Sequence, residues 1–127
     1  MSAGSQRGVL IVEDEEELRS LFVLVLEMED FLLFQAEDGQ SALDMLTAHK
    51  GEIDVMITDL GMPNIGGVEL ITRARSIKPA LKIIGTSGLS GRDIEENVRS
   101  AGADAFIAKP FSPHDAIKQV KELMERS

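Results

Sequence analysis

The sequence predicts an α/β protein built on a single doubly wound five-stranded parallel sheet, with helices on both faces. Three observations predict it. Short apolar runs of strand length, rich in β-branched residues, recur five times. A helical stretch follows each of them, and Gly, Pro or a capping residue marks most junctions. No linker or internal repeat interrupts the alternation across 127 residues, a length suited to one domain with a full core.

Val9 to Val12 reads as the first buried strand and ends at Glu13-Asp14. Glu15, Glu16 and Glu17 follow where a helix begins, and negative charge in a first turn suits the helix dipole. That helix runs to about Met28, with Leu18, Leu21, Phe22 and Val25 as its inward stripe. Leu24 and Leu26 widen the stripe, which suggests contact with a neighbouring helix or a partner. Phe31 to Ala36 is the second strand, Asp38 caps a helix from Gln40 to Ala48, and Gly51 ends that helix. Ile53 to Thr58 is the third strand. It stops at Asp59, where Gly61 frees the backbone and Pro63 removes a ladder donor. Val68 to Ile77 is a helix halted by Pro79, and Leu81 to Gly85 is the fourth strand, leading into Thr86-Ser87-Gly88. Ser90 opens the next helix, which closes near Gly102. Ala103 to Ala108 is a weak fifth strand ending at Lys109-Pro110. Ser112 and Pro113 start the last helix as cap and first helical residue.

Composition narrows the function. The net charge of −9 is lopsided: residues 1–63 hold three Lys/Arg against 14 Asp/Glu, a net of −11, while residues 64–127 net +2. Nucleic-acid affinity comes largely from neutralising phosphates, so an acidic chain is not expected to bind nucleic acid directly. Without Cys there is no disulfide, thiolate metal site or Cys nucleophile. The longest apolar run, Leu21 to Leu26, is too short to span a bilayer, and residues 1–7 read as a flexible polar tail without a signal-peptide core. A cytoplasmic location is expected. No Ser/His/Asp triad, zinc spacing or G-x-x-x-x-G-K phosphate loop is visible. His49 reads as a solvated cation at a helix end, and His114 has no assigned role.

In a parallel sheet with right-handed crossovers, all strand carboxyl ends share one edge, where ligands bind in such folds. That edge collects Glu13, Asp14, Asp59, Thr86 and Lys109 from four strand ends. Each has a plain structural alternative. Asp59 suits a turn, Glu13 and Asp14 suit a helix cap, Thr86 suits a strand end, and Lys109 suits a salt bridge. Taken together they suggest chemistry. Three crowded carboxylates call for a compensating charge, and a hard cation with oxygen ligands, Mg²⁺, supplies it. Asp59, already ionised at neutral pH, is then a candidate carboxylate nucleophile for a phosphoryl group. Lys109 and the Thr86 hydroxyl are placed to hold the phosphoryl oxygens.

These pieces, with the stretches Leu10-Ile11-Val12-Glu13-Asp14-Glu15, Thr58-Asp59-Leu60-Gly61-Met62-Pro63 plus Gly67, Gly85-Thr86-Ser87-Gly88, Gly102-Ala103-Asp104-Ala105-Phe106 and Lys109-Pro110-Phe111, resemble the receiver domain of bacterial two-component response regulators, the CheY-like superfamily. The resemblance spans roughly residues 8 to 125, and the expected domain is 8–126. It implies the flavodoxin-like strand order 2-1-3-4-5. It implies that Asp59 accepts a phosphoryl group from a histidine kinase or phosphotransfer protein. Asp14, Asp59 and the Gly61 carbonyl would ligate Mg²⁺, with Glu13 acting mainly through water. Lys109 would contact the phosphoryl group and precede a cis peptide to Pro110. Thr86 and Phe106 would move together as a switch, read on the surface of the fourth helix, fifth strand and last helix by an output domain or protein.

The sequence departs from the family's pattern in places. Gly66 stands where such domains often carry Asp, and Gly61, Ser87 and Gly88 leave the acyl phosphate open to water, so a short-lived phosphorylated state is expected. Residues 113–125 lack the charged pattern of regulators that dimerise through this face, which favours a monomer or another partner mode. An aspartate-nucleophile phosphatase would need an acid at position 61, so an enzyme acting on external phosphoesters is not expected. A degenerate receiver would have lost the acceptor or the acidic pair, and both are present. A stand-alone receiver and one domain of a hybrid kinase or larger regulator both remain open.

Overall fold

Alternation of buried and half-buried runs with amphipathic stretches produces ten elements. They are β1 (Gly8–Val12), α1 (Glu16–Glu27), β2 (Leu32–Ala36), α2 (Gly39–Ala48), β3 (Ile53–Asp59), α3 (Gly67–Ile77), β4 (Lys82–Ser87), α4 (Arg92–Ala101), β5 (Ala105–Ala108) and α5 (Pro113–Glu125). This computed structural model describes residues 7–61, 65–88, 92–108 and 112–125. The five strands pair in parallel in the order β2-β1-β3-β4-β5. Order and class are those expected.

Successive strand residues point to opposite faces, so one sheet feeds two cores. Leu10, Val12, Met56 and Ile83 pack with Leu43 and Leu46 of α2, Leu70 and Ile71 of α3, and Val98 of α4. On the other face Val9, Ile11, Val55, Ile57 and Ile84 meet Phe22 and Leu26 of α1 and Ile117, Val120 and Leu123 of α5. Burying each large apolar side chain contributes roughly 1.5–3 kcal/mol, which explains why the central strands read as unbroken apolar runs.

Local signals behave largely as expected. Asp38 Oδ1 accepts the Ser41 N–H at 2.7 Å and caps α2. Ser112 Oγ accepts the Asp115 N–H at 3.2 Å at the start of α5. Gly102, at φ 121°, closes α4 in a backbone conformation that a side chain would strain. Ser90 lies outside the described residues.

Four expectations need correction. Along α1 the buried residues are Phe22 and Leu26, whereas Leu21 is 43% exposed and Leu24 60% exposed. Leu21 and Phe22 lie about 100° apart around a helix, so both cannot face the sheet. Phe22 and Leu26, four apart, take it instead. Helix α2 ends at His49 rather than through Gly51. The Glu52 and Ile53 N–H groups both donate to the His49 carbonyl, so the turn closes without a left-handed glycine. His49 is also not a lone solvated group, because its Nδ1 lies 2.9 Å from Glu52 Oε1 and its ring stands 4.8 Å from that of Phe34. Finally, β4 runs through Thr86 and Ser87, and β3 through Asp59. The Leu60 N–H donates to the Thr86 carbonyl at 2.9 Å, so the ladder continues past the apolar run.

At the amino-terminal edge the sheet is braced by ion pairs. The Arg75 guanidinium donates to the carbonyls of Pro79 (2.9 Å), Leu81 and Gly102 and pairs with Asp104 at 3.0 Å. Asp104 in turn accepts the Ile83 N–H at 2.8 Å. Lys78 donates to the carbonyls of Lys50 (2.7 Å) and Ile53, with its Nζ 4.0 Å from Asp54, whose other oxygen accepts the Gly8 N–H at 3.1 Å.

Candidate functional site at the carboxyl edge of the sheet

Three of the strands deliver polar residues where their apolar runs end. β1 delivers Glu13 and Asp14, β3 delivers Asp59 and β4 delivers Thr86. The ladder puts Asp59 and Thr86 directly opposite each other on neighbouring strands. The carboxylates of Glu13, Asp14 and Asp59 come together, with one oxygen of each within 4.8 Å of the others. Glu13 and Asp59 are buried, and Asp14 is exposed at the mouth. Residues separated by 46 positions therefore share one small acidic pocket, as the strand-end argument expected.

The donor set is all oxygen, with no nitrogen or sulfur ligand. Oxygens on opposite sides of Mg²⁺ stand about 4.2 Å apart, since each bond is about 2.1 Å. Neighbouring oxygens on the ion stand about 3.0 Å apart, so a trio within 4.8 Å of one another reaches that geometry by side-chain adjustment. The residues fit a hard divalent cation.

Glu13 is held on several sides. Its N–H donates to the Ala36 carbonyl at 3.1 Å, extending the β1–β2 ladder by one residue. Its Oε2 accepts the Glu15 N–H at 3.1 Å, so part of the helix-capping role does apply. Its carbonyl accepts from Arg19 Nη1 at 2.7 Å. The sequence reading overlooked Arg19. Its only signal was that it is one of three cations in the acidic first half, one turn into the helix that follows the acidic pair.

Asp59 accepts the Gly61 N–H on Oδ1 at 3.2 Å. Gly61 is exposed, has no left-handed φ, and would bring a Cβ no nearer than 3.9 Å to Asp59. Its place in the turn is therefore not demanded by backbone freedom. Gly67 is demanded by packing, because a Cβ there would lie 2.6 Å from the Leu60 Cα. This close approach draws the start of α3 against the end of β3.

Thr86 is buried, and its hydroxyl points at the Thr58 carbonyl at 3.5 Å, the long limit of a hydrogen bond. Phe106 is half-buried against the core beneath α4, opposite Gly85 in the β4–β5 ladder. A Cβ at Gly85 would meet Val98 Cγ1 at 3.0 Å, so α4 rests close on the strand just before Thr86. Lys109 and Pro110, with the expected cis peptide, lie outside the described residues, as do Met62, Pro63 and Phe111.

The sequence profile of the response regulator receiver domain matches residues 9–121. Among curated proteins, the transcriptional regulatory protein CreB of Escherichia coli is 36% identical over 118 residues, covering 93% of this chain and 51% of CreB. This chain spans about half or less of the length of the curated relatives it matches first. Among solved structures, a CheY-like receiver domain protein of Methanospirillum hungatei has a TM-score of 0.88 at 28% identity, over 95% of this chain and 96% of that one. The CheX–CheY–BeF₃–Mg²⁺ complex of Borrelia burgdorferi has the same fold, with a TM-score of 0.88 at 24% identity over 93% and 89%. No helix among the described residues is long and apolar enough to cross a membrane.

Proposed function

This chain belongs to the response regulator receiver domain family, and from that premise we propose that it is a phosphorylation-dependent switch whose acceptor is Asp59. The observation that carries the reading is the acidic pocket: three carboxylates within 4.8 Å, one of them opposite Thr86 on the next strand. The functional unit is residues 8–126, and Arg7, which the sequence assigned to a tail, is instead tied to the sheet, its carbonyl accepting the Leu32 N–H at 2.8 Å.

The donor is a phosphohistidine on a histidine kinase or phosphotransfer protein. An Asp59 carboxylate oxygen attacks phosphorus, the O–P bond forms, the P–N bond breaks, and a proton returns to the leaving imidazole. Asp59 needs no base, being a carboxylate at neutral pH. Asp14, Asp59 and the Gly61 carbonyl would hold Mg²⁺, with Glu13 acting mainly through water. When bound, the ion supplies positive charge to the phosphoryl oxygens. Lys109 and the Thr86 hydroxyl bind the remaining oxygens. The long contact from Thr86 to Thr58 is weak enough to exchange for a phosphoryl oxygen. As Thr86 turns, Phe106 moves into the space beside it, and the surface of α4, β5 and α5 changes for its output partner. The Mg²⁺-bearing complex of the Borrelia CheY supports the metal assignment by analogy of fold.

The domain turns over no external phosphoester. It phosphorylates itself from donors and loses the group to water, in the cytoplasm. Gly61 and Gly88, small and exposed beside Asp59 and Thr86, support a short-lived acyl phosphate, whereas Ser87 is buried. Purified phosphoprotein that persists for many hours in Mg²⁺ contradicts this.

The direct test is incubation with a small phosphodonor and Mg²⁺, followed by intact mass and a phosphate-affinity gel, with Asp59→Asn alongside. One phosphoryl group on the wild type and none on the variant is expected. Unchanged labelling of Asp59→Asn sinks the assignment.

A further inference from the structure

The loop from Glu13 to Glu15 carries two of the three pocket carboxylates, yet the helix behind it lacks the usual anchor. Glu15 occupies the N-cap position of α1 and makes no side-chain capping hydrogen bond. What crosses the loop instead is Arg19. Its backbone N–H bonds Glu15 within the helix at 2.9 Å, and its Nη1 reaches back to the Glu13 carbonyl at 2.7 Å. A charge-assisted bond of that length is among the stronger hydrogen bonds available to a protein. Together with the Glu13 N–H on Ala36 and the Glu15 N–H on Glu13 Oε2, it fixes the peptide that joins Glu13 to Asp14. The Arg19 side-chain bond goes to a main-chain oxygen of the loop, not to a carboxylate.

We propose that Arg19 is a positioning residue for the acidic pocket: by gripping the Glu13 carbonyl it presets the direction of the Asp14 and Glu13 side chains toward the cation. This rests on the reading of the pocket as a cation site. Two effects of Arg19 oppose each other there. As a nearby positive charge it disfavours a divalent cation. As a clamp it favours one, because ligands already in place need no ordering on binding. Outer-shell groups that orient ligands are typically worth 10–100-fold in metal affinity, whereas the charge of half-buried Arg19, with its bond to a main-chain oxygen, is partly screened by solvent and salt. Positioning therefore outweighs repulsion, and loss of Arg19 weakens the cation.

The experiment measures the Mg²⁺ dissociation constant by calorimetry and by amide NMR titration for the wild type, Arg19→Met and Arg19→Lys, with melting of each protein in chelator. Arg19→Met keeps the length and apolar stem of the side chain and removes the grip. Its affinity falls about tenfold, while the metal-free melting temperature changes little. Arg19→Lys, with one cationic donor able to reach the same carbonyl, restores most of the loss. Tighter Mg²⁺ binding by Arg19→Met means that Arg19 acts only as a charge and overturns the proposal. So does an unchanged constant, with or without a lower melting temperature. If Arg19→Met does not fold, Arg19→Lys and Arg19→Gln carry the same comparison. A wild type that binds no Mg²⁺ defeats the cation-site reading itself, which separates that failure from one confined to Arg19.

Discussion

The two edges of the sheet treat charge in opposite ways. At the amino-terminal edge each carboxylate has a cation beside it: Asp104 with Arg75, and Asp54 with Lys78. Those pairs also satisfy main-chain groups from α3, β4 and the turn after α4. At the carboxyl edge three carboxylates, Glu13, Asp14 and Asp59, gather within 4.8 Å of one another, and Arg19 beside them bonds the Glu13 carbonyl at 2.7 Å. One edge spreads its charges into ion pairs, and the other gathers like charges at one point.

This contrast can be broken at either end. The largest effect is expected at the acidic edge. Asp14→Ala should weaken Mg²⁺ at least about tenfold, by comparison with what outer-shell losses alone cost, and phosphodonor labelling should fall with it. Calorimetry and intact mass read the two. A variant that still binds Mg²⁺ like the wild type would detach Asp14 from the site.

Next comes the braced edge. Arg75→Ala strands the Leu81 and Gly102 carbonyls and leaves Asp104 without its cation, and it should cost about 3 kcal/mol in chemical denaturation. Its labelling at Asp59, under conditions where it is folded, should match the wild type. Loss of labelling in the folded protein would mean that the two edges are not separable.

Smaller again is the relief of crowding. At 100 times its dissociation constant Mg²⁺ should stabilise the wild type by about 2.7 kcal/mol. Asp59→Asn should stabilise the metal-free protein by about 1 kcal/mol, since one of three like charges is gone. Melting temperatures indifferent to both would show that the carboxylates do not repel.

The smallest effect tests a lone carboxylate with neither role. The Ser41 backbone N–H, and then its side chain, hold the Asp38 carboxyl below its usual range. A depressed folded-state pKa gives stability that is present above the ordinary carboxylate range and lost as pH falls through the folded value. Asp38→Asn should therefore be slightly less stable than the wild type at neutral pH, with the gap closing in acid. A gap independent of pH would assign the cap to hydrogen-bond geometry rather than charge.

Much of this was legible in the sequence because the signals were local. Val9 to Val12 and Ile53 to Thr58 could only be buried strands, and alternation with helices fixes where their ends lie. That placed Glu13, Asp14, Asp59 and Thr86 on one edge before any coordinates. What stayed hidden depends on rotation and on backbone partners. The turn of α1 that buries Leu26 and exposes Leu21 is decided by α5 and the sheet, not by the spacing of leucines. The extension of β4 through Thr86 follows from a ladder with β3 that no residue type announces. Arg19 escaped because its partner is a carbonyl, and every residue has one. The Arg75 brace escaped for the same reason.

The pairing of Asp59 with Thr86 as rungs of one ladder has an engineering corollary. The segment between them, α3 with its flanking loops, is interchangeable cargo so far as that pair is concerned. A chimera carrying another receiver's residues 61–80 would keep Asp59 and Thr86 side by side, provided Gly67 is retained against Leu60. Deleting a single residue from Lys82 to Ile84 would instead slide β4 by one rung and turn every second side chain to the wrong face. Strand register, more than the loops, decides whether Asp59 and Thr86 stay side by side.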